Sequence, residues 1–326
     1  MSETVDSRMK PILPVGAASP GDVVKVNGLS APVNPLFNKL GRQCQAFRNN
    51  YKNPAIIRLV RVMYRLLALD LDGTLLNSAL RLSDANTEAV RAAMERGVQV
   101  VLATARFYGI ALRTASRLGV ETPLICSNGA LVKQPSDGRE LIHLNLDRDL
   151  AREVVSLGDE RGWEMFTTIE DTTYMQMRPG IIPEKLPGGL RIAEHQSNHL
   201  DEGPPTCVLV FGEEAVNEIS SQFLPAYNGR ARFSINRPTN SAHYVILTHP
   251  EAEKARALEV VLKELGVPPE QAIAMGDSES DIDMFRLAGL GIAMRNAPDQ
   301  VQRAALHVAP SNDEDGVAWA IRKFLL

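Results

Sequence analysis

Leu66-Leu67-Ala68-Leu69-Asp70-Leu71-Asp72-Gly73-Thr74-Leu75-Leu76 is the stretch whose reading decides the fold. Its first four residues form a continuous apolar run without polar alternation, as in a parallel strand buried on both faces. The run ends in Asp-x-Asp-Gly. In open α/β sheets ligands bind beyond the carboxyl ends of the strands. Asp70 and Asp72 therefore point two carboxylates at one pocket, and Gly73 lets the backbone turn away without a Cβ. Asp and Gly are also common in ordinary turns, so the rest of the chain must decide between the two readings.

Working outward, strands and helices alternate. Ser83 suits the N-cap of a helix through Val90, Ala93 and Met94 that stops at Gly97. Residues 98–103 form the next strand, 108–118 a helix ended by Gly119, and 124–126 a third strand. Near the C-terminus the rhythm returns. Pro250 suits the first position of a helix with Leu258, Val261, Leu262 and Leu265 on one face. A strand at 273–275, a helix at 281–287, a strand at 291–294, a helix at 301–305, a strand at 306–308 and a helix at 316–324 follow. This pattern predicts an α/β core with right-handed crossovers and a parallel sheet. Residues 145–247 read differently. Strands at 165–169, 172–177, 207–211 and 244–248, helices at 149–161 and 214–223, and a Pro/Gly-rich loop at 179–205 indicate an α+β insertion on an antiparallel sheet.

The second pair of carboxylates lies in Gly276-Asp277-Ser278-Glu279-Ser280-Asp281. Asp277 ends the 273–275 strand, and Asp281, four residues on, falls on the same face of a helical turn. Four carboxylates at one sheet edge repel one another. A hard divalent cation such as Mg2+ relieves this: it takes a few carboxylate oxygens, keeps several waters and accepts a substrate phosphate. Thr104 ends the second strand, where its hydroxyl can donate to a phosphate oxygen. Lys254 near a helix N-terminus is unfavourable for the helix dipole, which makes sense beside a local anion.

The ordered set resembles the haloacid dehalogenase (HAD) superfamily over the chain from about Met63 to Leu326. Asp70 to Leu76 is similar to its motif I, Thr104 in Ala-Thr-Ala-Arg to motif II, Lys254 to motif III and Gly276 to Asp281 to motif IV. Ser127-Asn128-Gly129-Ala130, Ala293-Met294-Arg295-Asn296-Ala297 and Glu314-Asp315-Gly316-Val317-Ala318 resemble the Cof-type (IIB) subgroup, whose cap lies between motifs II and III. The resemblance implies a Rossmann-like HAD core interrupted by an α+β cap domain. It implies Asp70 as a nucleophile that forms an aspartyl-phosphate, and Asp72 as a general acid and base, with a pKa raised by crowded acidic neighbours. It further implies Mg2+ held by Asp70, the Asp72 carbonyl and Asp277, with Asp281 ligating through water or orienting the site. Thr104 and Lys254 would bind phosphoryl oxygens, and Arg106 and Asn128 would join them in holding substrate. Three positions depart from the family pattern: Ala105 and Arg295 replace Gly, and Ser280 replaces Asn.

Composition sets the outer limits. The 326 residues carry a net charge of −4, with 44% hydrophobic and 23% charged residues. These are globular values, with no basic excess of the kind nucleic-acid binders carry and no 18-residue apolar run to span a membrane. Three cysteines without a CxxC suggest a reducing compartment, and a cytoplasmic location is expected. The charge is unevenly spread: residues 1–65 hold 10 Lys+Arg against 3 Asp+Glu, and the remainder 25 against 36.

Four segments are expected: an extension over 1–62, core at 63–144, cap at 145–247 and core again at 248–326. The extension reads as a disordered tail, a targeting segment or an upstream start ahead of Met63. His195 and His199, with Glu194, are at metal-ligand spacing but read as solvated. Arg178 and Arg191 are candidates for a substrate's anionic group, with surface placement favoured. Arg58, Arg61 and Arg65 read as part of a connector. The function expected is a Mg2+-dependent phosphatase of small phosphomonoesters, either sugar phosphates or phosphorylated cofactors. Phosphoryl transfer between sugar hydroxyls, or a receiver-like phospho-aspartate switch, stands as the alternative. A chain truncated to begin at Met63 is predicted to stay soluble and active; insolubility of that truncation on expression would show that the leading segment is structural.

Overall fold

A computed structural model describes residues 63–176, 189–236 and 243–326, together with the backbone of two short strands before them. The chain divides into two compact units, Met1–Arg61 and Val62–Leu326. In the first, strands β1 (Val23–Val26) and β2 (Leu29–Pro32) pair antiparallel. The remaining expectations for 1–62, Arg58 and Arg61 included, lie outside the described residues.

The second unit opens with β3 (Leu66–Leu69), α1 (Asp84–Glu95), β4 (Gln99–Leu102), α2 (Tyr108–Leu118) and β5 (Leu124–Cys126), then β6 (Leu131–Lys133) and β7 (Glu140–His143). A middle section holds α3 (Arg148–Arg161), β8 (Met165–Ile169), β9 (Thr172–Met175), β10 (Leu190–Ile192), β11 (Pro205–Phe211), α4 (Glu213–Ala226), β12 (Arg232–Asn236) and β13 (Tyr244–Thr248). The chain closes with α5 (Lys254–Glu264), β14 (Ala272–Gly276), α6 (Ile282–Leu287), β15 (Leu290–Met294), α7 (Asp299–Ala304), β16 (His307–Ala309) and α8 (Gly316–Phe324).

The core sheet is parallel throughout, in the order β16-β15-β14-β3-β4. Strand alternation sorts its residues into two apolar layers. Leu67, Leu69, Val100, Leu102, Ile273 and Met275 pack with α1, α2 and α8 on one side. Leu66, Ala68, Val101, Ala272 and Ala274 pack with α5, α6 and α7 on the other. From β3 the chain moves one way to β4, and its later strands extend the other way from β14. The strand order therefore reverses between β3 and β14, the crevice where such sheets bind ligands. The expected α/β core is present, and the ends of helices α2 and α8 match the residues predicted.

Four details differ from the sequence reading. The strand at 124–126 does not extend the parallel sheet: β5 joins an antiparallel hairpin sheet with β6 and β7 and touches the core through one parallel bridge, Ala103 to Ile125. Pro250 does not start α5. Ala252 and Glu251 donate back to His249, so residues 249–252 form a turn, Glu253 is the N-cap and Lys254 the first helical residue. The stretch read as a loop at 179–205 contains β10 and a short 3-10 turn, Gln196–His199, and residues 177–188 lie outside the description. Strand β12 is an addition to the strands expected, and Arg232-Phe233-Ser234-Ile235-Asn236 alternates with period two.

The inserted section forms a six-stranded sheet, β10-β9-β8-β11-β13-β12, antiparallel except for the β10–β9 pair. Helices α3 and α4 cover one face, where Val154, Val155, Ile219 and Phe223 meet Met165, Val208, Val210, Val245 and Leu247. It lies in the chain between Thr104 and Lys254, where the cap was expected. No helix among the described residues is long and apolar enough to cross a membrane. Cys126 and Cys207 are buried free thiols, and Cys44 lies outside the described residues.

Asn86 ties the start of the core together. Ser83 caps α1 by accepting from the Asn86 amide; the Asn86 side chain donates to the Leu75 carbonyl at 3.2 Å and accepts from the Ala318 amide at 2.9 Å. Truncation leaves two buried backbone groups without partners, at about 1–3 kcal/mol. Asn86→Ala is therefore expected to lower Tm by roughly 2–10 °C, measured by thermal unfolding; an unchanged Tm would contradict this.

Candidate active site

The four acidic residues take different places. The Asp70 amide donates to the Met275 carbonyl at 3.0 Å, which holds the end of β3 against β14. Asp70 and Asp281 are buried. Carboxylate oxygens of Asp70, Asp277 and Asp281 lie within 4.8 Å of one another. The Asp72 carboxylate stands apart from them and receives both Nε and Nη2 of Arg106 at 2.6 and 2.5 Å. The expectation that Asp72 sits among crowded carboxylates is thereby corrected: its nearest charge is a guanidinium.

Lys254 is the counter-charge of the cluster. Its Nζ lies 2.7 Å from Asp70 Oδ1 and 2.8 Å from Asp281 Oδ1, with its side chain 2% exposed. An ammonium on the first residue of a helix opposes the dipole, and two carboxylates outweigh that. Asp281 is engaged at both oxygens, because Oδ2 accepts from the Asp277 and Ser278 amides and from Ser278 Oγ at 3.2, 2.9 and 2.7 Å. That leaves Asp70 and Asp277 as the carboxylates with oxygen to offer. Thr74 Oγ1 donates to Asp277 Oδ1 at 3.1 Å.

Two glycines make room for these groups. A Cβ on Gly73 would lie 2.2 Å from Asp277 Oδ2, and Gly73 has φ +78°. A Cβ on Gly129, at φ +95°, would lie 2.4 Å from the Glu253 carbonyl, so the loop after β5 packs directly on the start of α5. Within that loop Asn128 adopts φ 55° and its amide donates to the Thr104 carbonyl at 3.1 Å. Its Oδ1 has no hydrogen-bond partner among the described residues. Thr104 is fully buried and its Oγ1 accepts from the Arg106 amide at 3.1 Å. Lys254 and Arg106 thus each pair with carboxylates of the set, and Thr104 links Arg106 to Asn128 through its hydroxyl and its carbonyl.

Protonation follows from burial. Burial pushes the Asp70 carboxyl well above its ordinary value; Lys254 pulls it back, and Asp281 and Asp277 push it further. Burial and then Asp281 raise Asp277 to about 7, against Lys254 and the Thr74 hydrogen bond. Burial lowers Lys254, but Asp281 and Asp70 outweigh that and raise it above its ordinary value. Three close carboxylates, two of them held up by burial, form a donor set suited to a hard dication. Asp70 and Asp277 fit Mg2+, and the missing Cβ of Gly73 is what lets the Asp277 carboxylate lie against the loop after β3.

The departures from the family pattern are accommodated. Ser280 Oγ lies 2.8 Å from Ser278 Oγ, the hydroxyl that holds Asp281. Arg295 is exposed and pairs with Glu314 at 3.4 Å. Asn296 donates to the Gly73 carbonyl at 2.8 Å and accepts from the Asn312 amide, bracing the loop after β3. The backbone hydrogen bond from Arg106 to Thr104 Oγ1 spans Ala105. The histidine pair holds no metal set: His199 stacks on Tyr174 with ring centroids 4.0 Å apart and lies 2.7 Å from Glu202. Arg191 is exposed on β10, the cap edge opposite β12, and Arg178 lies outside the described residues. The charges of Asp72 and Asp70 reach the Tyr244 phenol, which Asn236 holds by a hydrogen bond, an influence the sequence does not announce. Alternation along β13 shows which residues share a face with Tyr244, but not which face meets the core.

Comparison with known proteins agrees with this architecture. The sequence profile of haloacid dehalogenase-like hydrolases matches residues 67–321. The 5-amino-6-(5-phospho-D-ribitylamino)uracil phosphatase YcsE of Bacillus subtilis is 32% identical over 270 residues, covering 80% of this chain and 96% of that protein. The chloroplastic endoribonuclease YBEY of Arabidopsis thaliana is 29% identical over 294 residues; the match covers 82% of this chain, which spans about half, 48%, of that longer protein. A haloacid dehalogenase-like hydrolase from Bacteroides thetaiotaomicron superposes with a TM-score of 0.69 at 25% identity, over 80% of this chain and 99% of that one.

The raised Asp277 carboxyl has a sign that can be tested. Its folded pKa of about 7 exceeds the unfolded value of about 3.9. The neutral form therefore favours the fold at low pH, and that contribution fades as pH rises through 7. In metal-free protein, Asp277→Asn should gain Tm relative to the parent between pH 5 and pH 8. A Tm difference that is flat across this range would contradict the assignment.

Proposed function

The chain belongs to the haloacid dehalogenase-like hydrolase family, and we propose that it is a Mg2+-dependent phosphatase of small phosphomonoesters, sugar phosphates or phosphorylated cofactors. The observation that carries this reading is the buried triad of Asp70, Lys254 and Asp281 at the strand-order reversal, with Asp277 beside it. The phosphatase name of a relative matched over nearly its full length supports it. Asp70 attacks phosphorus through a carboxylate oxygen, the ester C–O–P bond opens on its phosphorus side, and the phosphoryl group passes to Asp70 as an acyl phosphate. Water then attacks that phosphorus and restores Asp70. Lys254 donates to Asp70 and to Asp281, which leaves one N–H to meet a phosphoryl oxygen, and Thr104 and Asn128 would supply the other donors to it.

Asp72 protonates the leaving oxygen and later takes the proton from water. In the resting arrangement Arg106 occupies both Asp72 oxygens. We infer that Arg106 turns to an anionic oxygen of the arriving substrate and releases Asp72 for proton transfer. Asp70, Asp277 and the Asp72 backbone carbonyl would hold Mg2+, while Asp281, engaged at both oxygens, orients Lys254 and the 277–278 amides. When bound, the cation offsets negative charge between nucleophile and phosphate. Residues 145–247 act as the cap over this site and 63–144 with 248–326 as the core.

Asp70→Asn is expected to abolish release of inorganic phosphate while the chain still unfolds in one cooperative thermal transition, and EDTA is expected to stop turnover reversibly. Undiminished turnover in Asp70→Asn would end this mechanism. Steady multiple turnover in a phosphate-release assay distinguishes it from a single stoichiometric phosphorylation.

A further inference from the structure

The cap sheet has a second face, opposite α3 and α4, whose residues are fixed by strand register. Phe166, Cys207, Leu209, Phe211, Arg232, Ser234, Asn236, Tyr244 and Ile246 belong to it: Phe211 and Asn236 both pair with Tyr244, Leu209 and Ser234 with Ile246, and Phe166 with Leu209. Two of these tie it to the catalytic end of the core. Cys207 Sγ donates to Ser127 Oγ at 3.4 Å, next to Asn128. Arg232 donates to the Pro250 carbonyl and to Glu253, next to Lys254.

Beyond the tie points this face becomes aromatic. Phe166 meets Phe211 edge-to-face at 5.9 Å between centroids, and Phe211 meets Tyr244 at 5.7 Å. All three rings are half-buried, as are Ser234 and Asn236. The row ends in a polar pair, in which Asn236 Nδ2 donates to the Tyr244 hydroxyl at 2.7 Å. Burial and then the charges of Asp72 and Asp70 push that phenol up, against the Asn236 hydrogen bond and Lys254. The face that carries the ring row is therefore tied to the core beside Asn128 through Cys207 and beside Lys254 through Arg232, and the charges of Asp72 and Asp70 reach the Tyr244 phenol at its polar end.

Building on the phosphatase reading, we propose that the Phe166–Phe211–Tyr244 row receives a planar π-ring carried by the leaving group, so that this enzyme prefers ring-bearing phosphomonoesters to plain sugar or polyol phosphates. A polyol has no flat apolar surface to lay on an aromatic face, whereas a heteroaromatic ring stacks on one ring of the row, meets the edges of its tilted neighbours, and presents edge donors and acceptors to the Asn236 amide and Tyr244 hydroxyl. Base-on-aromatic stacking at an open site changes affinity by roughly 5–150-fold.

The test uses matched esters that differ only in the ring: riboflavin 5′-phosphate against ribitol 5-phosphate, and uridine 5′-monophosphate against ribose 5-phosphate. In the full chain with Mg2+, kcat/KM is expected to favour the ring-bearing member of at least one pair by roughly 10-fold or more, mainly through KM. Phe211→Leu, which fills the space without a π face, should bring that ratio towards one, and Phe211→Tyr should keep it. Hydrolysis of the polyol or sugar esters with no gain from a ring, or a preference that survives in Phe211→Leu, overturns the inference and leaves the phosphatase reading standing. Hydrolysis of none of the four esters or of any other phosphomonoester overturns both.

Discussion

The Lys254 ammonium, buried between Asp70 and Asp281, is the constraint on which the site depends. A lone buried carboxylate is expensive, and removing one member of a buried pair commonly destabilises a protein by about 3–5 kcal/mol. Here three chain segments far apart in sequence must arrive together before any of the charges is satisfied. The end of β3 brings Asp70, the start of α5 brings Lys254, and the turn after β14 brings Asp281. The hydrogen bonds that saturate Asp281 Oδ2 fix the turn carrying Asp277 in the same step. The geometry of the candidate site and the closure of the fold are therefore one event, and the parallel register of β3 on β14 is what makes it possible.

The cap is joined to this core on both flanks. Lys133 on β6 reaches Asp171, in the turn between β8 and β9, at 2.7 Å, and its ammonium lies 5.3 Å from the Tyr108 ring centroid. Arg232 on β12 reaches Glu253 at the other flank. Between them Cys207 meets Ser127. Two of these anchors, Ser127 and Glu253, are the chain neighbours of Asn128 and Lys254, so the cap sheet is held directly at the loop after β5 and at the start of α5.

Much of this was legible in the sequence, for a definite reason. Buried parallel strands are continuous apolar runs, and their ends are marked by the functional residues themselves: Asp70 after Leu69 and Asp277 after Gly276. The order of Asp70, Thr104, Lys254 and Asp277 was readable because each lies at an element boundary. Contacts between distant surfaces were not. Arg106 pairing with Asp72 depends on the turn after β4 facing the turn after β3, which no local spacing encodes. Pro250 misled because a proline suits both the first turn of a helix and a tight turn before it. Strand β5 misled because an apolar triplet reads the same whether it joins a parallel sheet or a hairpin. Tyr244 and Asn236 lie on alternating strands whose periodicity is clear, but the choice of face is made by the cap's anchors.

Charge balance joins these observations. Asp70, Asp72, Asp277 and Asp281 bring four negative charges when ionised, and Lys254 and Arg106 supply two positive ones. The protein's own side chains leave a deficit of two positive charges at the crevice. Burial makes that deficit costly, and this is why the Asp70 and Asp277 carboxyls are raised: without a cation, protons are the means of neutralising them. A divalent cation supplies the missing charge and displaces those protons. In the proposed reaction cation and proton would compete for one electrostatic deficit, so affinity for Mg2+ and readiness of Asp70 to act as a nucleophile would rise together with pH. An arriving phosphate dianion shifts the balance again, and Arg106 is the only one of the two cations not buried against the triad. It is therefore the one that would change partners in the proposed reaction, and its departure from Asp72 would couple the arrival of substrate to the release of the group that moves a proton.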